Sequence, residues 1–184
     1  MSTLTTTAWV AHDLGLAAGF GGTLFGKFAL NPAVRAIDDK AQRGRLLDAA
    51  WRGFQPFNAI SFATAALTWL VGRSAISGRA FGRDVRGLVL AKDILLAGAV
   101  ATNVANMICG RFLGKERPQG AIPVEEGNVP APETPRRSAV LQRVVGVLSN
   151  VNLLCAAGVI ATTAILGMKS GRSSRWTALT RLLP

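Results

Sequence analysis

The sequence predicts an all-α integral membrane protein: a bundle of four transmembrane helices, with an amphipathic surface helix between the first and second. Three observations carry this. Apolar residues, 49% of the 184, gather into four blocks, each near the ~20 residues that cross a bilayer. Nearly every charge falls between the blocks. Of 21 Lys and Arg, only Lys27 and Lys92 sit well inside one. A soluble bundle would instead carry charge along the outer face of each helix.

The first block spans residues 8–30 and is followed by Asn31-Pro32, where proline disfavours helix at the residue before it. No basic segment precedes it and no small-residue cleavage site follows, so a retained span is expected, not a signal peptide. Within it Ala11, Gly15, Gly19, Gly22 and Gly26 recur at steps of three and four, on one helix face. Small residues on one face let a second backbone approach closely, which is how helices associate in lipid. The run "GFGG" lacks the preceding strand and the following GK[ST] of a phosphate loop.

Next comes "AVRAIDDKAQRGRLLDAAWRGF". Its Val34, Ile37, Ala41, Leu47, Ala50, Trp51 and Phe54 recur near helical spacing with charges between them. This predicts a helix lying on the membrane surface or capping the bundle. The second span is placed at 54–71 and the third at 88–110. The connection "GKERPQGAIPVEEGNVPAPETPRR" is rich in Pro, Gly and Glu without periodicity, and about 114–135 is expected to be a flexible linker. The fourth span is placed at 140–168, followed by a basic tail, 169–184. All of this forms a single membrane domain.

The net charge of +11 raises the question of nucleic acid. The basic residues spread over every loop with no stripe or nucleic-acid motif, so the expected partner is a bilayer with anionic headgroups. No Lys or Arg precedes the first span, whereas the first loop carries Arg35, Lys40, Arg43, Arg45 and Arg52. That bias places both termini outside the cytoplasm in the inner (cell) membrane.

Polar side chains inside spans are the candidate functional residues, because each is expensive in lipid. His12 and Asp13 open the first span, and Lys92 and Asp93 lie at similar depth in the third. An Asp13–Lys92 pair or a His12–Asp93 contact is expected. Toward the opposite leaflet lie Lys27, Asn58, Asn103, Asn106, Asn150 and Asn152. They are expected to turn inward, either as interhelical glue worth on the order of 1 kcal/mol per contact or as a polar vestibule for a headgroup or small solute. A carboxylate in the first of four spans also resembles small multidrug transporters, although their acid sits deeper and their chains are shorter.

With one histidine and two separated cysteines, Cys109 and Cys155, no structural zinc site or bis-histidine haem is expected. No nucleophilic elbow, Walker loop or HExxH occurs, so neither catalytic residues nor a cofactor are expected. The runs "HDLGLAAGFGGTLFGKFALNPAVRAI" and "RGRLLDAAWRGFQPFNAIS" resemble an uncharacterised actinobacterial family of small integral membrane proteins. The resemblance implies membrane location and no specific chemistry. The expected function is therefore a non-enzymatic structural or complex-forming membrane component, packing with itself or with another membrane protein. The alternative is a small proton-linked transporter or channel.

Overall fold

The computed structural model of the protein describes residues 3–77, 83–115 and 122–171. It is all-α, built on four long helices: α1 (Thr3–Phe25), α3 (Lys40–Ser77), α4 (Arg83–Lys115) and α5 (Arg136–Gly171), with a short turn α2 (Asn31–Ala33). Two of them, over Val85–Gly114 and Arg136–Lys169, are long and apolar enough to cross a membrane.

The first helix does not stop at Asn31-Pro32. A π-turn, Gly26–Leu30, follows α1, and the Asn31 N–H bonds the Gly26 carbonyl. Pro32 has no N–H to offer the turn before it, and the widened turn absorbs that loss. Helical backbone then runs through α2 and a 3-10 turn, Val34–Ala36, and ends at Ile37, which is extended.

The segments expected as a surface helix and a second span are one element. The 38 residues of α3 run unbroken through Pro56, about 57 Å at 1.5 Å per residue. The first third of α3 keeps its apolar side because protein covers it. Val34, Leu47 and Val124 form a buried cluster with Leu30 and Trp51 against it.

Val124 belongs to the second departure from expectation. The segment expected to be a structureless linker carries an antiparallel hairpin, β1 (Val124–Glu126) and β2 (Val129–Pro130). Gly127 makes its turn with φ +46°, and a Cβ there would also strike Asn31, so glycine is needed on both counts. Gly44 on α3 lets the strand approach: a Cβ would stand 2.0 Å from the Ile122 carbonyl oxygen. The Thr134 hydroxyl donates to the Pro123 carbonyl and closes the far end at 2.7 Å. Residues 116–121 and most of the basic tail lie outside the described residues.

Pairings across the helices define the bundle. Added Cβ atoms on Gly15, Gly22 and Gly26 would meet the Ser61 carbonyl oxygen, Phe54 and Trp51 in turn, so α1 and α3 run antiparallel with the glycine face between them. Likewise α4 and α5 pair antiparallel through Gly98 on Cys155 and Leu95 on Gly158. Leu16, Ala65, Trp69, Leu96 and Val159 join the two pairs in one core.

Candidate functional site

The polar residues expected inside spans separate into two groups at opposite ends of the bundle. At the end holding the N-terminus, His12 and Lys92 are both fully buried. The His12 Nδ1–H donates to the Ala65 carbonyl at 2.7 Å, a bond that fixes its tautomer because a carbonyl only accepts. Its ring sits edge-on to Trp9, with centroids 5.8 Å apart. The Lys92 ammonium lies 3.9 Å from the Trp69 ring centroid and 5.1 Å from that of Trp9, a cation–π arrangement that partly replaces lost water.

Neither expected charge contact forms here. Asp13 faces outward, one residue round the helix from His12. Asp93 accepts from the Trp69 indole at 2.7 Å and pairs with Arg73 at 3.1 Å. The helices are still clasped, but through α3: His12 ties α1 to it and Asp93 ties α4. The sequence carried a signal for this in Trp9, one turn before His12.

The other group forms a chamber at the hairpin end. Helical spacing brings Trp51, Gln55 and Asn58 to one face of α3, Asn106 and Gly110 to one face of α4, and Gln142, Ser149 and Asn152 to one face of α5. Thr23 of α1 joins them, and Ile122, Val124 and Asn128 close the end from the hairpin. Its volume is about 140 Å³, and it is partly open to the outside.

The amides lining it share one property. Asn152 donates through Nδ2 to the Ala99 carbonyl at 2.7 Å and to the Thr102 hydroxyl at 3.1 Å, so its oxygen is the atom left over. Asn106 Nδ2 donates to the Ser149 hydroxyl at 3.4 Å. Among the described residues, Gln55 Oε1, Asn58 Oδ1, Asn106 Oδ1, Gln142 Oε1 and Asn152 Oδ1 are buried with no hydrogen-bond partner. All five belong to chamber-lining residues. Buried carbonyl-type oxygens are rarely left unpaired in a native fold, and each asks for a donor. Among the described residues no Lys, Arg or His lines the chamber; Asp48 does, and its carboxylate is paired with Arg52.

Of the expected polar layer, Asn58, Asn106 and Asn152 therefore converge. Lys27 and Asn150 line an adjoining groove instead, and Asn103 is buried outside both. The sequence reading missed Gln55 and Gln142, although Gln55 stands at i−3 from Asn58 on the same face.

A set of ion pairs holds the hairpin over the chamber. Lys40 bonds Glu125 at 2.6 Å, Arg43 Nη1 donates to the Glu125 backbone carbonyl at 2.9 Å, and Arg35 pairs with Glu126 at 2.5 Å. The hydrogen bond from Lys40 lowers the Glu125 carboxyl below its ordinary 4.5, and the same bond raises Lys40 above 10.5. No group of three or more His, Cys, Asp or Glu that could hold a metal occurs among the described residues.

No protein family, no curated protein and no solved structure matches this chain, so the chemistry of the chamber and its setting carry the functional argument.

Proposed function

We propose that this chain is a four-span inner-membrane protein whose role is binding: it holds a small polar molecule in the amide-lined chamber and performs no chemistry on it. The polar lining of the chamber carries the proposal: Gln55, Asn58, Asn106, Gln142 and Asn152 gather around one cavity with Thr23 and Ser149, a set of hydrogen-bonding groups in which no nucleophile is framed by a base.

The membrane setting is supported by where apolar residues lie on all four helices, not only on the two that are apolar enough alone. Val10, Leu14 and Phe28 around α1, and Phe57, Ile60 and Leu67 on α3, are exposed while His12, Asn58 and Lys92 are buried. Apolar outside and polar inside suits lipid as solvent. The charge of the first loop favours both termini outside the cytoplasm, which puts the chamber toward the cytoplasmic leaflet.

An assembly role through the glycine face has less support, since α3 covers that face within the chain. Proton-linked transport is the second reading, favoured by the unpartnered His12 Nε2 and Lys92 Nζ. Under it Lys92→Met abolishes pH-dependent flux in proteoliposomes; under binding alone it changes nothing in the chamber.

Purification in native nanodiscs with mass analysis tests the main proposal. The expected result is one small molecule or lipid per chain, lost from Asn58→Leu. A stoichiometric protein companion in its place would favour assembly, and release of the chain by alkaline carbonate would sink the membrane reading.

A further inference from the structure

We propose that His12 is an acid trigger: a proton taken up at its Nε2 puts a second positive charge beside Lys92 in a buried cage, and the α1–α3 pair parts from the α4–α5 pair at this end to relieve it. The device goes beyond the binding role and does not rest on the chamber, which lies at the other end of the bundle.

Three helices build the cage. Trp9 and His12 come from α1, Trp69 and the Ala65 carbonyl from α3, and Lys92 from α4. The two indoles meet edge to face, 5.9 Å between centroids, and both rings serve both bases. Lys92 Nζ lies 3.9 Å from the Trp69 centroid and 5.1 Å from that of Trp9. The His12 ring stands 6.2 and 5.8 Å from the same two centroids. His12 and Lys92 are fully buried, and among the described residues neither His12 Nε2 nor Lys92 Nζ has a hydrogen-bond partner.

The bond that fixes the histidine also fixes where a proton goes. Nδ1–H donates to the Ala65 carbonyl, so Nε2 holds the free lone pair and is the ring atom that accepts a proton. Protonation leaves the bond to α3 in place. The strain therefore falls between α1 and α4, where the new charge meets the ammonium.

No counter-ion is placed to absorb that charge. On α1, Asp13 is exposed. On α4, Asp93 accepts from the Trp69 indole at 2.7 Å and pairs with Arg73 of α3 at 3.1 Å. From α5 the core receives Val159 and Leu166, both apolar. Ring faces hold one cation well, but two like charges in a site stripped of water repel with little screening. Separation lets water reach both. Since the parted form accepts the proton more readily than the closed one, acid favours parting.

The test is acrylamide quenching of tryptophan emission in nanodiscs between about pH 8 and 5, the window in which histidine switches. Trp51→Phe and Trp176→Phe leave Trp9 and Trp69 as the emitters. Quenching should rise as pH falls, with the ratio of parted to closed forms growing by at most about tenfold per pH unit, the limit for one proton. His12→Gln and Lys92→Met should each abolish the rise, the first by removing the trigger and the second by removing the charge it meets. Asp13→Asn should leave it unchanged. The chain without these last substitutions also decides the matter, because His12 is its one histidine and ¹⁵N-histidine resonance reports that residue alone. Protonation of His12 and the rise in quenching must share a midpoint. Separate midpoints, quenching that ignores pH, loss of the rise in Asp13→Asn, or a rise that survives in His12→Gln or Lys92→Met would overturn the inference.

Discussion

Gly15 stands where α1 touches the backbone of α3: a Cβ there would lie 2.7 Å from the Ser61 carbonyl oxygen, while one at Gly21 would meet nothing within 4 Å. The two glycines are six residues apart on one helix and have opposite consequences. Gly15→Val should destabilise the bundle by about 1–3 kcal/mol, because the helices must separate to admit it. Gly21→Ala should be neutral or gain about 0.5–1 kcal/mol, because only helix propensity changes. Thermal unfolding in mild detergent measures both, and equal effects would refute the packing. The face itself was legible in the sequence, since a period of three and four is visible in one dimension. That its partner is α3 was not, because a small-residue face says that something approaches and never what. The amides show the same limit: Asn58, Asn106 and Asn152 announced a polar layer, but which oxygen is left unpaired depends on the Ala99 carbonyl 53 residues away.

Among elements, the α4–α5 pair admits a covalent test. A Cβ at Gly98 would stand 3.9 Å from the Cys155 Cβ and 3.0 Å from its sulfur, within the span of a disulfide, about 3.5–4.5 Å between Cβ atoms. Gly98→Cys should therefore cross-link to Cys155 on mild oxidation, read as a mobility shift reversed by reductant. A register shifted by one residue would prevent it. The hairpin is held differently, by exposed ion pairs. Glu125 is lowered from 4.5, so its contribution is present above that value and fades as pH falls through the lower, folded-state value. Lys40 is raised from 10.5, so its contribution is complete below that value and fades as pH rises through the higher one. Hydrogen exchange over residues 122–130, corrected for intrinsic rates, should show steady protection between roughly pH 5 and 10 and loosening at either extreme. Glu125→Gln should flatten the acid limb. No periodic pattern marked this hairpin, because strands of three and two residues are too short to display alternation.

For the whole molecule, four antiparallel helices put the start of α1 and the end of α5 on one side and both the 37–39 connection and the hairpin turn on the other. Single cysteines placed at Asp38 and Asn128 in a background lacking Cys109 and Cys155 should react together with an impermeant thiol reagent from one side, and tail cysteines from the other. Asp38 labelled from the N-terminal side would mean that α1 and α3 do not cross, leaving the two more apolar helices as the spans. The distribution of surfaces argues for crossing. The core of α1 and α3 holds His12, Asn58 and Trp69, while Leu14, Phe57 and Leu67 face outward, an order that water would penalise and lipid rewards.

The sequence by itself determined the helical class, the approximate place of each long helix, the close-packing face of α1 and the existence of two polar layers. These are properties of composition and periodicity, set by neighbours within a few turns. The tertiary structure alone decided what those features do. It joined the surface segment and the next helix into one 38-residue element, because the hairpin covers an apolar side that otherwise needs a membrane surface. It turned Asp13 outward and gave Lys92 two indole rings in place of a carboxylate. It gathered five amides from three helices around one chamber. Convergence of that kind depends on the rotation and register of helices far apart in the chain, and no local pattern encodes it.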